Sequence, residues 1–151
     1  MADNLEAVIK PIIEKISTQG KSVGITEDIE NIKSFLTKEI NGDTLIDCLV
    51  AGANLSKDRP GVLVYLLTSA KIAKIEIDKE KVQSLSSYLK DVTSVNRTLL
   101  NNPSGNNAQI VIEFLQGRFG LFYPANDTTI GTFFQKVDEA VRKVKATPDG
   151  K

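Results

Sequence analysis

The chain of 151 residues has no histidine, no tryptophan and one cysteine. Without an imidazole base, neither a Ser–His–Asp hydrolase nor a Cys–His protease can be assembled. Zinc centres draw mainly on Cys and His, and one cysteine with no histidine falls short of such a set. Cys48 cannot close an internal disulfide, which points to a reducing compartment. It lies in the apolar run LIDCLV and reads as a packing residue.

Long hydrophobic runs are also missing. The longest is VLVYLL, residues 62–67, against the ~20 residues a membrane-spanning helix needs. The N-terminal MADNLEAVIK has no basic start followed by an apolar stretch, so no signal peptide and no membrane are expected, and the protein is read as cytoplasmic. The sequons at Asn54, Asn96 and Asn126 are then chance matches. No G-x-G-x-x-G occurs. Gly20-Lys21-Ser22 has the closing letters of a phosphate-binding loop, but Lys15 stands where its first glycine belongs. The nearby carboxylates Asp43 with Asp47, and Asp138 with Glu139, read as helix caps and solvated faces. No cofactor, metal or catalytic residue is assigned, and the chain is read as a non-enzyme.

What the chain does contain is ordinary for a globular protein: 41% hydrophobic and 25% charged residues, with zero net charge. Residues 1–60 hold 7 basic against 10 acidic residues, and residues 61–151 hold 12 against 9. The C-terminal part can therefore meet an anionic partner.

Apolar spacing reads as mainly α. Leu5, Val8, Ile9, Ile12, Ile13 and Ile16 form a first helical stripe, interrupted by Pro11, with Gly20 and Gly24 flanking a loop. Thr26 is placed to cap a second helix carrying Ile29, Ile32, Phe35, Leu36 and Ile40, closed by Asn41-Gly42. Asp43 heads a short helix with Leu45, Ile46, Leu49, Val50 and Ala53. After the turn LSKDRPG, VLVYLLTSAKIAKI reads as a central helix, apolar nearly all round at its start. Asp78 then caps the longest helix, where Val82, Leu85, Leu89, Val92, Asn96 and Leu99 alternate spacings of three and four in a heptad-like seam.

NNPSGNN, residues 101–107, ends that helix. AQIVIEFLQGRFGLFY, residues 108–123, reads as a β-hairpin turning at Gln116-Gly117, and Asp127 caps a last helix with Ile130, Phe133, Phe134, Val137, Val141 and Val144 on one face. The expected organisation is a helical domain of five or six helices over 1–107, a hairpin insertion over 108–124, a C-terminal helix over 125–146 packed on the helical domain, and a tail over 147–151.

Two groups of residues are candidates for contact. Arg97, Arg118, Lys136, Arg142, Lys143 and Lys145 could neutralise phosphates of RNA or single-stranded DNA if they share a face. An isolated hairpin is marginal in water, and this one is apolar on both sides. Val111 and Phe122, together with Val82, Leu85, Leu89, Val92 and Asn96 of the seam, are therefore read as an interface to other protein subunits or to a second copy of the chain.

The succession of the long helix KEKVQSLSSYLKDVTSVNRTLL, the break NNPSGNN, the hairpin and a closing helix, in a His-free chain rich in Ile and Lys, resembles the small subunit of archaeal type I-A CRISPR interference complexes. The resemblance implies a non-catalytic subunit acting in antiviral defence, among guide RNA, target DNA and larger Cas proteins. The alternative reading is a helical structural or adaptor protein of viral or phage type that binds only protein.

Overall fold

The computed structural model describes residues 2–22, 29–40, 42–56, 59–78, 81–102, 105–124 and 128–146. Three helices, α1 (Ala2–Ser22), α2 (Ile29–Ile40) and α3 (Thr128–Ala146), accompany seven strands. These are β1 (Leu45–Ser56), β2 (Arg59–Thr68), β3 (Lys71–Ile77), β4 (Val82–Tyr88), β5 (Val92–Asn102), β6 (Gly105–Phe114) and β7 (Gly117–Pro124). The fold is mixed α/β with more strand than helix, which overturns the mainly α reading. The strands form two sheets, ordered β1-β2-β3-β4 and β5-β6-β7. The chain divides into two compact units, Met1–Ser69 with Ala73–Ser86, and Ala70–Ile72 with Ser87–Lys151.

In the first unit, Ile9, Ile12 and Ile16 of α1 and Ile32, Leu36 and Ile40 of α2 are buried, at the spacing their sequence announced. They pack on Val62, Val64 and Leu66 of β2 and on Ala73, Ile75 and Ile77 of β3. Each such side chain contributes about 1.5–3 kcal/mol when fully removed from water. Pro11 lies inside α1, and that helix continues through Gly20. Gly42 follows α2 at φ 81°, a conformation glycine adopts without strain. The caps expected at Thr26 and Asp127 lie outside the described residues, as does the tail 147–151.

Three expected helices of this region are strands, for three different reasons. The central run is β2 and β3. Every residue from Gly61 to Thr68 is buried, Leu63, Tyr65 and Leu67 as well as the Val62, Val64 and Leu66 between them. A strand covered on both faces has no alternation to display, so its periodicity does not separate it from a buried helix. The short helix expected after Asp43 is β1. A register shift between Leu45 and Asp47 puts Leu45, Cys48 and Val50 against the helix-side core, while Ile46 is exposed and Leu49 is buried. The bulge converts a two-residue spacing into three, the spacing of a helix.

The long helix expected to follow Asp78 is β4, a 3₁₀ turn (Leu89–Asp91) and β5. Asp78 caps a turn instead: its Oδ1 accepts from the Lys81 backbone N–H at 2.9 Å, and its own N–H donates to the Lys81 carbonyl at 3.0 Å. The 3₁₀ turn shifts the strand phase, so Leu89 and Val92, three apart, are both buried. The heptad-like spacing arises from this shift and not from a helical seam.

In the second unit, β6 and β7 form the expected hairpin, paired from Asn107↔Pro124 to Phe114↔Gly117. Its turn residues are Leu115 and Gln116, one position earlier than expected. The hairpin gains a third strand, β5, along β6. Ala108, Ile110, Ile112, Phe114 and Phe119 bury one face, with the Phe114 and Phe119 rings 5.0 Å apart. In α3, Phe133, Phe134, Val137, Ala140 and Val141 are buried, as their spacing predicted.

Candidate functional site

The six cations proposed for phosphate contact are not brought to one surface. Lys136, Arg142, Lys143 and Lys145 are exposed on α3. Arg142 Nε lies 3.2 Å from Asp138 Oδ2, one turn earlier, and Glu139, also exposed, interrupts the positive face. Arg97 of β5 is exposed; it pairs with Ile110, and its Nη2 would stand 3.5 Å from a Cβ placed on Gly131 of α3. Arg118 is opposite Glu113, between buried Ile112 and Phe114, and therefore points to the other face of the sheet.

The proposed interface residues scatter as well. Leu89 and Val92 are completely buried within the second unit, and Val82 packs against the core of the first. Leu85 is exposed, as is Asn96, whose amide donates to Ser94 Oγ at 3.3 Å. Val111 is half-buried among Asn96, Gln109 and Glu113, so the outer hairpin face is more polar than the apolar surface expected. The Phe122 side chain lies outside the described residues.

Of the proposed residues, only Leu85 stands at an open edge with a cleft beside it. β4 ends the four-stranded sheet, its sole sheet neighbour among the described residues being β3. Gln83, Ser84 and Leu85 are consecutive exposed residues at its middle. On the side facing α1 and α2, Ser84 Oγ donates to Glu39 Oε1 at 2.7 Å. On the opposite side, Gln83 Nε2 donates to Glu76 Oε1 at 2.7 Å, and Glu76 lies 3.7 Å from Lys74 Nζ. Lys74, Glu76, Gln83, Ser84 and Leu85 line an open cleft of about 280 Å³ along this edge. Each polar side chain there is already engaged by a neighbour, which holds the margin of the strand in place.

Among the described residues, the four strands at the ends of the two sheets differ in how they are protected. Charge and proline are the usual guards against strand pairing with another chain. β1 carries Asp47, β5 carries Arg97, and β7 carries both Arg118 and Pro124. β4, with the sequence VQSLSSY, carries neither. Sequence reasoning singled out Leu85 for a helical seam that does not exist. No local signal marks the edge: the charge-free run of eight residues between Lys81 and Lys90 is one of several in the chain.

Burial raises the Cys48 thiol pKa, with Lys15 opposing and Asp47 reinforcing the shift, so the reactive thiolate is disfavoured. Burial, aided by the Glu76 charge, pushes the Tyr65 phenol far above its ordinary range. Among the described residues, no group of three or more His, Cys, Asp or Glu side chains is placed to hold a metal ion. No described helix is long and apolar enough to cross a membrane.

No protein-family model and no curated protein matches the chain. Among solved structures, the C-terminal domain of an unknown protein from Leishmania infantum is similar over 73% of this chain and 98% of its own, at 10% identity and a TM-score of 0.45. The hSac2 domain from human phosphoinositide phosphatase Sac2 is similar over 78% of this chain and 85% of its own, at 13% identity and a TM-score of 0.49. Neither likeness bears on what this chain does.

Proposed function

We propose that the protein is a non-catalytic assembly module that accepts an extended segment of a protein chain along the free edge of β4. The observation that carries this reading is the β4 edge itself: exposed at Gln83–Leu85, free of charge and proline, and bordered by a cleft. Strand addition draws affinity from main-chain hydrogen bonds and selectivity from pockets that receive alternate side chains. Leu85 offers an apolar anchor, while Lys74, Glu76 and Gln83 offer polar groups to the side chain beside it. The absence of histidine and the disfavoured thiolate of Cys48 support a binding role over a catalytic one.

Selection of extended peptides from a displayed library tests this. Selected peptides should bind the wild-type chain, protect Gln83–Leu85 amides from exchange, and lose about tenfold or more in affinity on Leu85→Lys. Failure to select any peptide, or binding indifferent to Leu85→Lys, overturns the reading.

The exposed Lys136, Arg142, Lys143 and Lys145 of α3 favour a second reading, contact with the phosphates of a nucleic acid. A gel shift with single-stranded DNA and RNA at low salt checks it, and no shift at low salt removes it. The long helix that carried the likeness to a CRISPR small subunit is two strands and a 3₁₀ turn here, so that likeness lends neither reading support.

A further inference from the structure

We infer that the extended segment received by β4 presents a side-chain amide, asparagine or glutamine, opposite Gln83, with an apolar residue two positions away opposite Leu85. This rests on the strand-addition reading above and names the chemistry of its partner. The argument is which hydrogen-bonding capacity of the cleft is taken and which remains. Only the amide nitrogen of Gln83 can donate to a carboxylate, so its 2.7 Å contact with Glu76 Oε1 fixes the orientation of the group. Lys74 Nζ stands 3.7 Å from Glu76 Oε2. Both carboxylate oxygens are thus engaged from within the chain. Gln83 keeps its carbonyl oxygen as an acceptor, and Lys74 keeps ammonium protons beyond this one pair.

The cleft therefore offers a donor and an acceptor, with its charges balanced internally. A primary amide matches both: its carbonyl accepts from Lys74 while its N–H donates to the Gln83 carbonyl. A carboxylate would take the Lys74 protons, but it would meet the Glu76 charge and give nothing to Gln83. A cation would meet Lys74. An apolar side chain would cover both groups without replacing the water that satisfies them. The Lys74 and Glu76 side chains are only 24% and 17% exposed, so a mismatch there weighs more than on an open surface. The position follows from strand geometry. Alternate side chains of an added strand lie on one face, so those opposite Gln83 and Leu85 share the cleft of about 280 Å³. Leu85, 40% exposed, supplies its apolar wall. The residue between them lies beside Ser84, whose Oγ donates to the Glu39 carboxylate, and an acidic residue is disfavoured there.

The probe is the acetylated, amidated peptide TVTQTVT. Valine stands two places from glutamine on both sides, so either strand direction brings an apolar residue opposite Leu85. Companion peptides carry glutamate, lysine or methionine in place of the glutamine. Fluorescence anisotropy with the full chain should rank the glutamine peptide about tenfold or more tighter than each companion. Gln83→Met, at an exposed position and with its fold confirmed by circular dichroism, should erase that ranking while leaving the methionine peptide bound. Leu85→Lys should weaken all four. Equal affinities for the four peptides overturn the inference, as does a ranking that survives Gln83→Met. If such binding still depends on Leu85, the inference falls and the assembly reading stands. No binding of any of the four also overturns the inference, and failure of the library selection as well overturns both.

Discussion

β2 and β4 belong to the same sheet and both carry Val, Leu and Tyr, yet they do opposite work. β2 is buried from Gly61 to Thr68, so its side chains hold the sheet to α1 and α2. β4 leaves Gln83, Ser84 and Leu85 in water and ends the sheet without a charge. Leucine at the centre of one strand is structural, and leucine at the edge is available for recognition. Burial, and not residue type, separates the two roles.

The contrast can be broken by substitution, beginning with its strongest expected effect. Leu66→Ala in β2 removes a side chain 1% exposed and should cost about 2–5 kcal/mol, seen as a lower urea midpoint with an unchanged slope. Asp78→Ala removes the acceptor of the Lys81 N–H in the turn that leads into β4; a loss of about 1 kcal/mol is expected, read from thermal unfolding. Leu85→Ala should leave the unfolding midpoint within about 0.5 kcal/mol of wild type. A cost matching that of Leu66→Ala would show that β4 is core rather than edge. Arg142→Ala, which removes an exposed ion pair with Asp138, should alter stability by no more than about 0.5 kcal/mol.

The pH response sharpens the same distinction, because its two shifted groups lie on β1 and β2. Both Cys48 and Tyr65 have pKa values raised by folding. Their neutral forms are favoured in the folded state, so their contribution is fully present below the unfolded values and is lost as pH climbs. The melting temperature should therefore fall as pH rises past the ordinary thiol value of 9.0 and the ordinary phenol value of 10.0. Tyr65→Phe should flatten the upper part of that decline. An unchanged alkaline limb in Tyr65→Phe would contradict the burial assigned to its phenol.

What the sequence disclosed follows from the same physics. α1, α2 and α3 each bury one stripe and expose the rest, so Ile9, Ile12 and Ile16, or Phe133, Val137 and Val141, announce themselves by spacing. The β6–β7 hairpin has one buried face and a short turn, and was equally legible. β2 was not, because both its faces are covered. β1 was not, because its bulge imitates a helical step. Between Val82 and Leu99 the 3₁₀ turn breaks the alternation, although the β-branched Val92, Thr93, Val95 and Thr98 favoured a strand there. Leu85 was marked as a contact residue under the wrong geometry. The open edge depends on strand order, which arises from pairings between distant segments and leaves no local pattern.

The most direct test of the edge is amide hydrogen exchange with and without a peptide selected for binding. Amides of Val62–Leu67 should be protected equally in both. The β4 amides that point away from β3 should exchange quickly in the free chain and become protected when the peptide is bound. Rates for those amides that the peptide leaves unchanged would contradict the account.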